Sequence, residues 1–174
     1  MKKSPLDTPL WAFSLAVYGG DGVADECLGL QEKLKLDVNL LLFAAFAGAV
    51  DCVRLDAKDI VAASAAVSGW HNEIVRALRS ARRALKPASA DAENPLRDTN
   101  ATLRAQVKAA ELEAEKIEQA MLWQWSRQQL ANRPRMARER ALTANLHGVL
   151  EFYDAAAGTA APRLLDAAVA YKAP

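Results

Sequence analysis

The sequence predicts an all-α fold: a single-domain bundle of about six to eight helices around a buried helix at about residues 38–50. Three observations carry this. Apolar residues recur at spacings of three and four along most of the chain, the period of an α-helix, and no stretch alternates as a half-buried strand would. The connections at Gly19–Gly22 and Leu36–Asp37 leave no room for a strand. From Val38 to Val50 only Asn39 is strongly polar, so that helix has no wet face and must be buried, in a core or in lipid. At about 1.5 Å per residue it reaches only about 20 Å, against about 30 Å of hydrocarbon in a bilayer. Asp37 and Asp51 bracket it closely, flanks that favour a protein core.

Each element has its own signals. Pro9 suits the first turn of a helix capped by Thr8, and Leu10–Tyr18 continues it. Gly19-Gly20-Asp21-Gly22 is a glycine-dense turn in which Asp21 can cap the next helix, Val23 to about Lys35. That helix puts Val23, Cys27, Leu30 and Leu34 on one face. Asp37 then caps the central helix. Asp56 and Asp59 read as a variant capping box at the head of a helix from Ala57 to Ser68-Gly69. Its run of alanines suits close packing deep in the bundle. A helix from Trp70 to Lys86 is expected to bury Ile74, Leu78, Ala81 and Leu85. Residues 87–98 read as a loop. A long helix follows from Asp98 or Thr99 to about Ala131. Its narrow seam is Leu103, Val107, Ala110, Ala114, Ile117 and Met121. A helix from about Met136 to Ala156 carries Leu142, Leu146, Val149 and Phe152, and a short tail helix spans Arg163–Tyr171.

Composition sets bounds without naming a partner. A chain of 174 residues suits one domain, 1–174, with a full hydrophobic core. With 22 Lys plus Arg against 21 Asp plus Glu, the net charge of +1 favours no partner class, so any electrostatic argument rests on local patches. Cys27 and Cys52 lack a second pair for zinc, and in a helical hairpin they fall out of register for a disulfide. The basic N-terminus precedes too short an apolar run, Trp11–Val17, for a signal peptide, so cytoplasm is the expected location and no membrane is expected.

Tyr18-Gly19, Gly22-Val23, Cys27-Leu28, Leu30-Gln31 and Asp37-Val-Asn-Leu-Leu-Leu-Phe43 together resemble the signature of a bacterial family of small helical proteins, a domain of unknown function. Trp11-x-Phe-Ser-Leu15 fits it too, as do Trp70, Val75, Leu78-Arg79, Arg82-Arg83 and Glu111-Leu-Glu-Ala-Glu115. The resemblance covers roughly residues 10–119 and leaves 122–174 as a C-terminal helical extension. It implies an all-helical cytosolic protein and brings no reaction, cofactor or catalytic residue.

Candidate sites remain few. Arg76, Arg79, Arg83 and Lys86 line one helix side, with Arg82 adjacent, and could hold phosphates. The intramolecular alternative pairs them with Glu111, Glu115 and Glu118 of the next helix, and the balanced net charge favours it. Those glutamates lack the Glu-x-x-His spacing of a carboxylate-bridged metal pair, so no metal and no cofactor is expected. His71, at an expected helix start, and His147 each stand without a second ligand at helical spacing. Asn39 is the most informative residue, because a buried amide needs partners or a wet cavity. With Trp11, Tyr18, Gln31, Asp37 and Trp70 it could line a ligand pocket. The structural alternative, which is favoured, has Asn39 and Asp37 tying the chain to free backbone N–H groups. No phosphate loop, nucleophile elbow or dinucleotide fingerprint is present.

Three functional readings follow. The first is a non-catalytic helical protein acting through protein–protein contact or self-association, suggested by the narrow seam and by Trp123 and Trp125. The second is a small-molecule or enzyme site near Asn39. The third, weaker, is nucleic-acid binding through Arg76–Lys86 and Arg127–Arg140.

Overall fold

The computed structural model describes residues 4–173; its regular elements there are all helices, with one isolated antiparallel bridge between Val53 and Arg135. The chain forms two compact units. The first runs to Ala66 and resumes at Gln119; the second holds Val67–Glu118.

In the first unit, α1 (Pro9–Tyr18) starts as its sequence dictates: the Thr8 hydroxyl accepts from the Trp11 N–H at 3.1 Å, and Pro9 occupies the first turn. α2 (Val23–Leu34) departs from expectation. Its N-cap is Gly22 at φ +69°, a left-handed conformation that glycine adopts without strain, and Asp21 does not cap it. α3 (Val38–Ala49) is the buried helix: every residue from Asn39 to Ala49 is inside. Its cap is Asp37, whose carboxylate accepts from the Asn39 N–H at 2.8 Å. Each fully buried leucine or phenylalanine contributes about 1.5–3 kcal/mol of transfer free energy, so Leu40, Leu41 and Phe43 anchor this unit.

α3 packs most extensively on α8 (Arg138–Phe152), and also on α1, α2 and α9 (Pro162–Ala170). The α3–α8 crossing is very close because Gly48 faces the α8 backbone: a Cβ there would lie 2.5 Å from Leu142 Cα. Asn145, fully buried on α8, clips the connection after α3 to the bundle. Its amide donates to the carbonyls of Ala44 (3.1 Å) and Val53 (2.9 Å) and accepts from the Leu55 N–H (2.8 Å). The carboxylate of Glu26 on α2 caps α9 by accepting from the N–H groups of Arg163 and Leu164.

α4 (Ala57–Trp70) begins in the first unit with the reciprocal cap read from the sequence. Asp56 accepts from the Asp59 N–H at 2.9 Å, and Asp59 accepts from the Asp56 N–H at 3.0 Å. α4 is not the deeply packed helix its alanines suggested. Ile60, Ala63 and Val67 form one buried stripe, while Ala62, Ala65 and Ala66 face solvent. Nor does it end at Ser68-Gly69. It continues through a π-turn, His71–Val75, into α5 (Arg76–Ala84). Counting this run as one helix, the described residues hold eight.

The π-turn explains a second difference, within the second unit. One extra residue in the turn rotates everything beyond it. Val75 is buried, whereas Ile74 and Ala81 are exposed and Leu78 and Leu85 only half-buried, so the expected dry face is only partly covered and α5 buries no residue. The loop expected at 87–98 is shortened by α6 (Lys86–Ala90). α7 (Arg97–Gln129) is the long helix; its first part lies in this unit and its end in the first.

No helix among the described residues is long and apolar enough to cross a membrane.

Candidate functional site

The cations of α5 are engaged within the second unit. Arg79 donates to Glu111 at 3.0 Å and to Glu115 at 2.6 Å, and Arg82 donates to both oxygens of Glu111. Burial acts to raise the pKa of Glu111, but hydrogen bonds from Arg82 and Arg79 and their charges outweigh it and hold the carboxyl below its ordinary range. Arg76 donates to Asn72 at 3.1 Å; Arg83 and Lys86 are exposed. The pairing sequence reasoning favoured is therefore present for Arg79, with Arg82 as its second member. Trp70 donates its indole N–H to the Ala114 carbonyl at 2.9 Å. His71 is neither isolated nor at a helix start: within the π-turn, its Nδ1 lies 3.1 Å from the fully buried Glu118. Along the α7 seam in this unit, Ala114 is buried but Leu103 and Ala110 are exposed.

In the first unit, Asn39 is buried and its Oδ1 accepts from Gln119 Nε2 at 2.9 Å. Asp37 and Asn39 are joined by the capping bond, Gln31 is buried on α2, and Trp11 and Tyr18 are half-buried on α1. The two tryptophans near the end of α7 have separate duties. Trp125 packs edge-on against Phe43, with ring centroids 5.9 Å apart, and Arg127 lies over Trp123. The later arginines are mostly committed: Arg127 to Asp51, Arg133 to Asp59 and Asp56, Arg138 to the carbonyls of Ala168 and Tyr171.

What sequence reasoning missed is a groove of about 1000 Å³ in this unit, between residues 54–61 and the outer face of α8. Its construction follows from the packing. Residues 53–55 are extended: Val53 and Leu55 turn inward, the latter held by Asn145, so Arg54 between them turns outward. α8 buries Leu142, Leu146 and Val149, which leaves Arg140, Thr143, His147 and Glu151 on the opposite side, lining the groove. Phe152, expected to be buried, is 38% exposed, because the buried stripe has rotated past it by the end of the helix. It lines the groove with Val61, which is 53% exposed, and with Ile60, whose Cδ1 sits against Gly148.

The rim carries charge of both signs, but the two signs are placed differently. Asp56 caps α4; its pKa is held below its ordinary value first by the Asp59 N–H, against a smaller desolvation effect, and then by the Lys58 N–H and Arg133. Glu151 lies 3.3 Å from His147, and Glu139 stands in the first turn of α8, where the helix dipole offsets its charge. Among the described residues, Arg54 and Arg140 have no ionic or hydrogen-bonding partner for their side chains. The only advance signals were Arg54 alternating with two apolar residues and Phe152 at the end of an apolar stripe, and neither reveals a groove by itself.

Fold and site thus define a class: an all-helical protein with an open, charge-rimmed groove on its bundle. The chain belongs to the family described as Protein of unknown function (DUF2390), which matches residues 9–122. The match takes in α1 to α6 and most of α7, including the 54–61 wall of the groove, and ends before α8. No curated protein and no solved structure matches the chain significantly.

Proposed function

We propose that this chain is a non-catalytic binding protein that receives a segment of another protein in the groove between residues 54–61 and α8. The observation that carries the reading is the groove itself: large, open to solvent, with Val61 and Phe152 exposed on an apolar floor and charged side chains at the rim. Apolar side chains ringed by polar ones are the usual anatomy of a protein-binding patch. A ligand site centred on Asn39 is less well supported, because its carbonyl oxygen is already bonded to Gln119. Nucleic-acid binding through α5 is weakened in the same way, because Arg79 and Arg82 are bonded to Glu111 and Glu115.

The test is affinity capture from the native host with the intact protein, beside a Val61→Asp/Phe152→Asp variant of matched thermal stability. A protein recovered by the wild type and lost by the variant is expected. Identical recovery by both would refute the groove as the binding surface.

A further inference from the structure

We infer that the groove takes an amphipathic helix bearing acidic side chains near one end, an inference that rests on the protein-binding reading above. Three features of the groove point to this occupant. The first is its walls. Apart from the short extended stretch at 54–56, the walls are α4 and α8, which satisfy their own backbone groups internally and offer an incoming chain no long row of free N–H and C=O groups. An extended peptide would leave its own amides unpaired over the apolar floor, whereas a helix brings them already bonded.

The second is length and polarity. Arg140 and Phe152 are twelve residues apart on α8, which at about 1.5 Å per residue is about 18 Å, or roughly three turns of a partner helix. Arg140 lies in the first turns of α8. Arg54 follows Val53, which bridges to Arg135 just before α8 begins. Both cations therefore stand toward the start of α8, while Phe152 stands at its end. Asp56 and Glu139 flank the two arginines, and His147 and Glu151 precede Phe152, so the two ends differ in that both arginines stand at one and the exposed phenylalanine at the other.

The third is charge complementarity. Two of the rim carboxylates are engaged, Asp56 by the start of α4 and Arg133 and Glu151 by His147, while Glu139, beside Arg140, is favoured by the dipole of its own helix without a side-chain partner among the described residues. Arg54 and Arg140 have no such partner either, among the described residues, so an acidic side chain on the occupant meets unspent positive charge at that end. Arginine also suits the task, since its planar fork receives a carboxylate through two parallel hydrogen bonds.

The experiment is a selection of random peptides of about four helical turns, displayed on phage and panned on the intact protein. Enriched peptides are expected to share apolar residues at three- and four-residue spacing, with Asp or Glu clustered toward one end. Their synthetic counterparts should bind an Arg54→Glu/Arg140→Glu variant roughly tenfold more weakly, and Lys in place of the peptide's acids should restore that binding. Both substituted positions are exposed, and a circular dichroism melt confirms that the variant folds. Enrichment without acidic preference, or unchanged binding to the charge-reversed variant, would overturn the inference. If Val61→Asp/Phe152→Asp still abolished binding in that case, the groove would stand as a protein site and only its charge preference would fall. Peptides that bind Val61→Asp/Phe152→Asp as well as wild type would sink both. A selection that enriches nothing overturns the acidic-helix occupant and leaves capture of intact partners to judge the groove.

Discussion

Gly48 and Gly148 form a matched pair for testing how α8 is held against the bundle. Alanine at either position improves intrinsic helix propensity by about 1 kcal/mol. What differs is the neighbour. At Gly48 the new Cβ would meet Leu142 Cα at 2.5 Å, Leu142 N at 2.6 Å and the Ala141 carbonyl carbon at 2.9 Å, all backbone atoms of α8. Ordinary contact needs about 3.5–4.0 Å, so the two helices must part by about 1 Å or more. A gap of about 0.5–1 Å forfeits a quarter to a half of each contact's attraction across the largest helix–helix contact in this unit. Overpacking of this kind costs about 1–3 kcal/mol, and the rigid backbone places Gly48→Ala at the upper end. Net of propensity, about 2 kcal/mol of stability should be lost, a fall in Tm of roughly 4–8 °C at this chain length. At Gly148 the new Cβ meets only Ile60 Cδ1, at 2.8 Å, the far end of a side chain that can turn aside into the groove. Gly148→Ala should therefore stay within about 0.5 kcal/mol of wild type. Urea denaturation followed by circular dichroism measures both. A Gly48→Ala protein as stable as wild type, or a Gly148→Ala protein more damaged than it, would refute the close-crossing argument.

Three further outcomes are expected. Asn145→Leu leaves the Leu55 N–H and the Ala44 and Val53 carbonyls without their side-chain partner. At about 1–3 kcal/mol per buried group stranded, a loss of about 3 kcal/mol or more should appear in thermal melts, and a loss under about 1 kcal/mol would contradict the clip. Because the pKa of Glu111 is lowered in the folded state, its ion pairs stabilise fully above the ordinary carboxylate value of about 4.3 and are lost as pH falls through the lowered one. The urea midpoint should fall more steeply below about pH 4.3 for wild type than for Glu111→Gln, and parallel acid limbs would exclude Glu111 as a cause. Burial, with Glu26 adding to it, pushes the Cys27 thiol up to about 12, so at pH 8 a disulfide reagent should spare Cys27 in the native protein. Cys27→Ser should leave the native reaction amplitude unchanged; a lost equivalent would show that Cys27 is accessible.

The family resemblance, helical class, buried helix and several helix starts were legible in the sequence because they are local properties. Thr8-Pro9, Asp37 and the Asp56–Asp59 pair satisfy backbone N–H groups only a few residues away, and the unbroken apolar run at 38–50 admits nothing but burial. The arginine–glutamate pairing was legible too, as charge of opposite sign on consecutive helices. What the sequence left open depends on where a distant element comes to rest. A π-turn at His71–Val75 interrupts the helical period the sequence predicts, and α5 beyond it buries no residue. Asn145 looks like any polar residue on an amphipathic helix until the 53–55 segment is laid beside it. The groove arises only where residues 54–61 meet the outward side of α8, about eighty residues later in the chain. Local pattern dictates which face of a helix turns inward; only tertiary packing decides what the outward face is left beside.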